Sequence, residues 1–352
     1  MATLWFVLVG FMVTMYVLLD GFDLGAGAIH LAAARTDGER RTILRAIGPV
    51  WDGNEVWIIA AGGTLFFAFP LLYASSFSGF YLPLFIVLWL LMVRGVAIEV
   101  RSHLANPVWA SFWDGGFFLA STLLAIFYGA ALANVVRGVP LDSRGYFFEP
   151  LWTNFSPYGA HPGILDWYTV LIGLLALAAL TAHGANFIVV KTEGPVNARS
   201  RRIARGAWLA TSVLTLLGTL ATFSVRPQLL THFGDRPWGF LFPLLALGGL
   251  VGMGYWTGTR REKAAFLSSG AYLVGMLAST AFGLYPEVLP ATPGGRSLTV
   301  TNAAAAQYGL SVGLIWWTIG IGLAAVYFVL TYRLFRGKVA APAGPGHESP
   351  KR

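Results

Sequence analysis

Gly48-Pro49-Val50-Trp51-Asp52-Gly53-Asn54-Glu55-Val56-Trp57 runs without a break into the apolar stretch Ile58 to Tyr73 and so puts two carboxylates at the mouth of an apolar segment. A second pair, Asp20 and Asp23, lies inside the first apolar stretch, while Arg94 and Glu99 lie within and near the end of the third. Each carboxylate pair is spaced i,i+3, so on a helix its members share a face and can line one cavity. Carboxyl groups in a low-dielectric site gain protons more readily than in water, and a row of them can take up and pass on a proton near neutral pH. Arg94 is placed to act as counter-ion to one of them. The candidate proton-relay residues are therefore Asp52, Glu55, Asp20, Asp23, Arg94 and Glu99. Asp52 and Glu55 would also suit the first turn of a helix for the helix dipole alone, a contribution of about 0.3–1 kcal/mol. Glu99 and Asp114, near the water boundary, fit a structural role as well.

The elements that must position these groups follow from composition. With 56% hydrophobic residues, 11% charged residues and a mean hydropathy of +0.64 over 352 residues, the chain reads as an all-α integral membrane protein. Runs near 20 apolar residues fall at roughly 4–29, 50–73, 79–100, 113–136, 164–190, 206–225, 238–257, 264–285 and 308–332, about nine transmembrane helices. With the N-terminus outside, 18 of the 24 Lys and Arg lie in cytoplasmic loops and the C-terminal tail, five lie outside, and Arg94 remains within a segment. That orientation places the C-terminus in the cytoplasm and gathers Asp20, Asp23, Asp52, Glu55, Glu99 and Asp114 at the cytoplasmic half of the first four helices. The first segment lacks a basic leader and a small-residue cleavage site, so it is expected to stay in place.

Other chemistry finds little support. The pI of about 9.8 comes from basic loops between apolar segments and does not indicate nucleic acid. The chain has no Cys, which excludes thiolate metal sites, iron–sulfur clusters and covalently attached c-type haem. Of six His, only His183 lies well within an apolar run, a weak candidate for cofactor binding that reads more readily as a packing residue. No nucleotide loop and no metal-ligand set stands out, so no catalytic or metal-binding residue is assigned.

Leu19-Asp20-Gly21-Phe22-Asp23-Leu24-Gly25-Ala26-Gly27, the stretch 48–57, Ala61-Gly62-Gly63 with Phe69-Pro70, and Phe77-Ser78-Gly79-Phe80-Tyr81 together strongly resemble subunit II of cytochrome bd-type quinol oxidases. The match is densest in the first 115 residues and continues through Thr181-Ala182-His183-Gly184-Ala185-Asn186. The resemblance implies a heterodimer in the bacterial cytoplasmic membrane that oxidises quinol and reduces oxygen to water. Haem b and haem d would sit on the partner, subunit I, with small single-helix accessory subunits as further partners and lipid and quinone around the complex. It links the Asp of the Trp-Asp-Gly motif, here Asp52, to the proton route. It also implies two four-helix bundles, 1–136 and 164–285, with an outer loop 137–163 between them and a peripheral ninth helix at 308–332, while the tail 337–352 departs from the family and, rich in Ala, Pro and Gly, is expected to be disordered. Trp152, Tyr158 and His161 in the loop could meet quinone or, better, the partner. A proton-coupled transporter would also carry carboxylates in a helix bundle and is the competing reading.

Overall fold

The computed structural model describes residues 1–339. Within them, eight helices are long and apolar enough to cross a membrane: α1 (Ala2–Ala33), α5 (Tyr81–Val100), α6 (Pro107–Arg137), α7 (Trp167–Lys191), α8 (Gly194–Val225), α10 (Leu241–Gly258, entered through a 3-10 turn Pro237–Phe240), α11 (Glu262–Leu284) and α12 (Gln307–Leu334). The apolar run at 50–73 behaves differently from the others. It forms α3 (Trp51–Ala68) and α4 (Pro70–Gly79), because Pro70 has no N–H with which to continue the α3 ladder. The Ala68 carbonyl at the break accepts a hydrogen bond from the Ala305 amide (2.9 Å), which ties the break to the segment that leads into α12.

Four elements are absent from a reading by apolar runs. α2 (Asp37–Ile47) opens on a capping box, in which the Thr36 side chain accepts from the Glu39 amide and Glu39 accepts from the Thr36 amide. α9 (Gln228–Asp235) is a short helix on the loop before α10. The strands β1 (Glu287–Leu289) and β2 (Leu298–Thr299) pair antiparallel between α11 and α12, so the chain is not purely helical. The start of the tail is also anchored: the Val339 amide donates to the Lys191 carbonyl, and Lys338 Nζ lies 2.9 Å from Glu262. The rest of the expected disordered tail lies outside the described residues.

α1 is the hub, packing on α3, α6, α7 and α11. α5 packs on α6, α7 packs on α8, and α10 packs on α11, while α12 buries only Leu310 and reaches the rest through side chains. Small residues make the central contact possible. A Cβ on Gly25 would meet the Leu180 carbonyl oxygen at 2.0 Å, and one on Gly184 would meet the Gly25 backbone at 2.4 Å. Gly21 likewise faces Leu180, so α1 and α7 run parallel with backbones in contact. Replacing Gly184 with Ala must push the two hub helices apart, at a cost of about 1–3 kcal/mol. The purified Gly184→Ala protein in detergent should melt several degrees below the parent, and an unchanged melting point would show that the contact is slack.

Candidate functional site

Four of the six relay candidates meet between α1, α3 and α5. Asp20 and Asp23 come from α1, Glu55 from the second turn of α3, and Arg94 from the last third of α5. Arg94, Asp20 and Asp23 are wholly buried, and Glu55 keeps 20% of its side chain exposed. Arg94 binds Asp20 bidentately, donating at 2.8 Å to Oδ2 and at 2.5 Å to Oδ1, and donates to Glu55 Oε2 at 3.2 Å. The planar guanidinium fork suits such shared recognition. Asp23, one turn along α1 from Asp20, has its own partner in Asn54, whose Nδ2 donates to Asp23 Oδ2 at 2.8 Å. Tyr332 of α12 completes this arm by donating from its hydroxyl to Asn54 Oδ1 at 2.9 Å. Asp23 Oδ1 has no hydrogen-bond partner among the described residues. One turn before Asp20, the Tyr16 hydroxyl donates to that of Tyr128 on α6 (2.9 Å).

Asp52 and Glu99 do not join them. Both are exposed, and neither makes a side-chain hydrogen bond among the described residues. Asp52 precedes Asn54 by two residues, about 200° around the helix, so the face that packs on α1 carries Asn54 and Trp57 and turns Asp52 outward. Asp114 belongs to a second cluster. Its carboxylate accepts from Arg101 Nε (2.9 Å) and NH2 (3.0 Å) and from Arg40 NH1 (2.9 Å), and lies 2.7 Å from His30 Nε2. Arg101 and Arg41 both continue to Asp37 at 2.7 Å. His30 repeats the spacing of the buried α1 face, seven residues after Asp23, and is itself fully buried.

A third cluster closes the other end of the bundle. Arg137, at the end of α6, donates to Asp166, to Glu149 Oε1 (2.7 Å) and to Asn134 Oδ1 (2.8 Å). Asp166 also caps α7, accepting from the Tyr168 and Thr169 amides. Glu149 is buried with Oε2 unpartnered among the described residues. Burial pushes its carboxyl up to about 7, with Arg137 opposing the rise and Asp166 adding to it. In the same loop Trp152 and Tyr158 stay exposed, and the Tyr158 hydroxyl lies 2.9 Å from Ser224 Oγ.

His183, the cofactor-binding candidate within a spanning helix, does not fit a haem ligand. Both ring nitrogens of His183 are engaged, Nδ1 at 2.7 Å from Ser269 Oγ and Nε2 donating to the Leu18 carbonyl at 3.0 Å. The ring stacks on Phe266, which explains a buried histidine as packing and leaves it no free nitrogen for a ligand. The cavity between α1, α3 and α12, lined by Met12, Trp57, Trp317 and Phe328 among others, holds about 240 Å³ and is smaller than typical cofactor sites of about 300–1,000 Å³.

The Glu149 carboxyl gains its proton more readily in the folded protein than in the unfolded chain, whose glutamates titrate near about 4.3. The stability linked to that proton is fully present below that range and is lost as pH rises through about 7. Its size is at most on the order of 3 kcal/mol. Between pH 5 and pH 8 the parent should therefore lose more thermal stability than Glu149→Gln, which keeps an acceptor for Arg137 but does not titrate. Parallel melting curves for the two would exclude a buried titrating Glu149.

Comparison with known proteins identifies the family. The family described as cytochrome bd terminal oxidase subunit II matches residues 1–335. The chain is 28% identical to the probable cytochrome oxidase subunit 2 of Haemophilus influenzae, over 96% of this chain and 95% of that one. It is 29% identical to the cytochrome bd-I ubiquinol oxidase subunit 2 of Escherichia coli K12 (88% and 87% covered) and 29% identical to the cytochrome bd ubiquinol oxidase subunit 2 of Bacillus subtilis (96% of each). Its fold matches a chain of the bd oxidase from Geobacillus thermodenitrificans with a TM-score of 0.73 at 18% identity, covering 95% of this chain and 98% of that one. A multi-pass helical protein of the bacterial inner membrane, this chain belongs to the cytochrome bd terminal oxidase subunit II family.

Proposed function

We propose that this chain is the second subunit of an oxidase that oxidises quinol and reduces oxygen to water, and that it carries protons from the cytoplasm through the Asp20–Asp23–Glu55–Arg94 cluster while supporting its partner. The haems b and d, borne by subunit I, supply the electron transfer and oxygen chemistry. What supports a proton role here is one observation: two carboxyl groups share a single buried guanidinium, one of them reaching solvent, with the buried carboxyl of Asp23 one helix turn from Asp20. Such a group can hold a variable number of protons without moving its backbone. Glu55 is the entry, being the only one of the three carboxyls that is not fully buried. Asp52, exposed on the turn before Glu55, gathers protons at the mouth without belonging to the buried relay. From Glu55 the Arg94 fork leads to Asp20, and the Asn54–Tyr332 arm fixes Asp23 beside it.

Orientation follows from the distribution of Lys and Arg, which puts the cluster and the Asp114 network toward the cytoplasm and Arg137 outside. In this arrangement α1, α3, α5 and α6 form one four-helix group, α7, α8, α10 and α11 a second, and α12 stands apart. Protons consumed in making water then enter from the cytoplasm while those of quinol leave outside, so turnover charges the membrane without a pump. Each charge moved across the membrane is worth about 2.3 kcal/mol per 100 mV.

Glu55→Gln in the intact complex should lower quinol-driven oxygen consumption at least about tenfold with normal haem content in the reduced-minus-oxidised spectrum. Asp52→Asn should cost far less, because water replaces an exposed donor. Full turnover in Glu55→Gln would remove the relay from this chain and leave it a supporting role. Arg94→Ala strands buried carboxylates, a penalty of about 3–5 kcal/mol, and should instead reduce the amount of assembled complex, measured as haem per membrane protein.

A further inference from the structure

Some cationic side chains of the cytoplasmic rim are paired, and others, Arg35, Arg45, Arg333 and Arg336 among them, are exposed and have no carboxylate partner among the described residues. Arg40, Arg41, Arg101, Arg199 and Arg201 each lie within ion-pair distance of a carboxylate, as does Lys338. Arg202 and Arg205 of α8 and Arg260, Arg261 and Lys263 around the α10–α11 turn are exposed and have no carboxylate partner among the described residues. The elements that carry these five are neighbours. Arg201 of α8 binds Glu262 of α11 at 2.7 Å, and Trp208 of α8 packs on Gly254 of α10 while donating to the Leu250 carbonyl at 2.9 Å. The first turns of α8 therefore lie beside the α10–α11 turn. The nearby acids do not compensate: Glu262 is already shared by Arg201 and Lys338, and Glu193 precedes Arg202 by about 13 Å of helix rise.

Two further features suit a particular occupant. Arg202 and Arg205 continue, at helical spacing, into the exposed apolar residues Leu209, Val213, Leu216 and Leu220 of the same helix. A cationic end on a long apolar track matches the shape of an anionic lipid, head over tail. The second feature is backbone strain. Arg260 adopts φ 61°, in the left-handed region that favours Gly or Asn, at a cost of about 1–2 kcal/mol. The turn thus holds a cation where a glycine would fold more easily, and strain kept in this way points to a use. Beside it the Arg261 guanidinium lies 5.2 Å over the Trp256 ring, with Tyr255 exposed, aromatic residues suited to headgroup depth.

We propose that this rim is a binding site for an anionic phospholipid, its phosphate held by Arg202, Arg205, Arg260 and Arg261 and an acyl chain lying along α8 from Leu209 to Leu220. Basic pockets between helices on the cytoplasmic side are the usual receptors for such headgroups. The inference rests on membrane residence and on these side chains, and it stands whether or not the buried carboxyl cluster conducts protons.

The test titrates the intact detergent-purified complex with cardiolipin, with phosphatidylcholine and with inorganic phosphate, reading melting temperature and apparent Kd. Cardiolipin should raise the melting temperature saturably, and the other two should not. Each arginine removed should weaken that binding about fivefold, so Arg202→Gln with Arg205→Gln should lose roughly 25-fold. The same loss of charge in Arg35→Gln with Arg45→Gln, exposed arginines of the same side, should leave it intact. Arg260→Gly guards against misfolding: it relieves the left-handed strain, so the lipid-free protein should melt no lower, yet cardiolipin should bind about fivefold more weakly. Equal effects of phosphatidylcholine, an equal response to inorganic phosphate, or undiminished cardiolipin binding in Arg260→Gly would each overturn the assignment.

Discussion

A guanidinium with no access to water must find its counter-charges inside the protein, and Arg94 is fully buried within a helix otherwise apolar enough to span a membrane. Its bidentate hold on Asp20 and its third hydrogen bond to Glu55 fix α5 against α1 and α3 in one register. A register that separated them would leave a buried charge bare, which would cost several kcal/mol. The pair gives rather little net stability over an apolar substitute, so what it supplies is specificity of docking. Chemistry and architecture here depend on the same atoms.

Around that pair the remaining structure is arranged by how close backbones can come. Gly25 and Gly184 let α1 and α7 touch, which puts the acidic face of α1 at the centre of the molecule rather than on its rim. The two ends of the bundle are then closed by networks of similar construction: Asp114 with Arg101, Arg40 and His30 at one, and Arg137 with Asp166 and Glu149 at the other. The first has more cations than carboxylates, and the second the reverse. They are the locks that an open bundle of apolar helices lacks by itself, since lipid competes equally for its apolar faces.

Much of this was legible in the sequence, for physical reasons that can be named. Long apolar runs located the spanning helices but not all their ends, since α8 begins at Gly194 and α6 at Pro107, well before the runs at 206 and 113, and ionisable groups at depth singled out six candidates of which Asp20, Asp23, Glu55 and Arg94 come together. Spacing was weaker evidence. An i,i+3 pair is only loosely aligned on a helix, so Asp52 turns outward although Glu55 turns in, and Glu99 likewise stays at the surface. Asn54 and Tyr332 could not have been joined from pattern, because they are 278 residues apart and neither carries a charge. Glu149 and Asp166 meet Arg137 through the fold of an irregular loop, for which periodicity offers no signal. The capping box Thr36-Glu39 was readable, but a search for apolar runs passes over an 11-residue polar helix.

α3 is not among the helices apolar enough to cross a membrane, since Asp52, Asn54 and Glu55 occupy its first two turns. A charged residue in mid-bilayer costs an inserting helix about 2.5–3.5 kcal/mol, so this segment gains little by leaving water alone. Its partners decide the matter: Asp23 is already made when α3 leaves the ribosome, Arg94 follows some 40 residues later, and Tyr332 is nearly the last of the described chain to be synthesised. The polar end of α3 therefore has its full set of partners only once α12 is complete. A chain cut short before α12 would leave the Asn54 side chain on α3 without the Tyr332 hydroxyl that latches it.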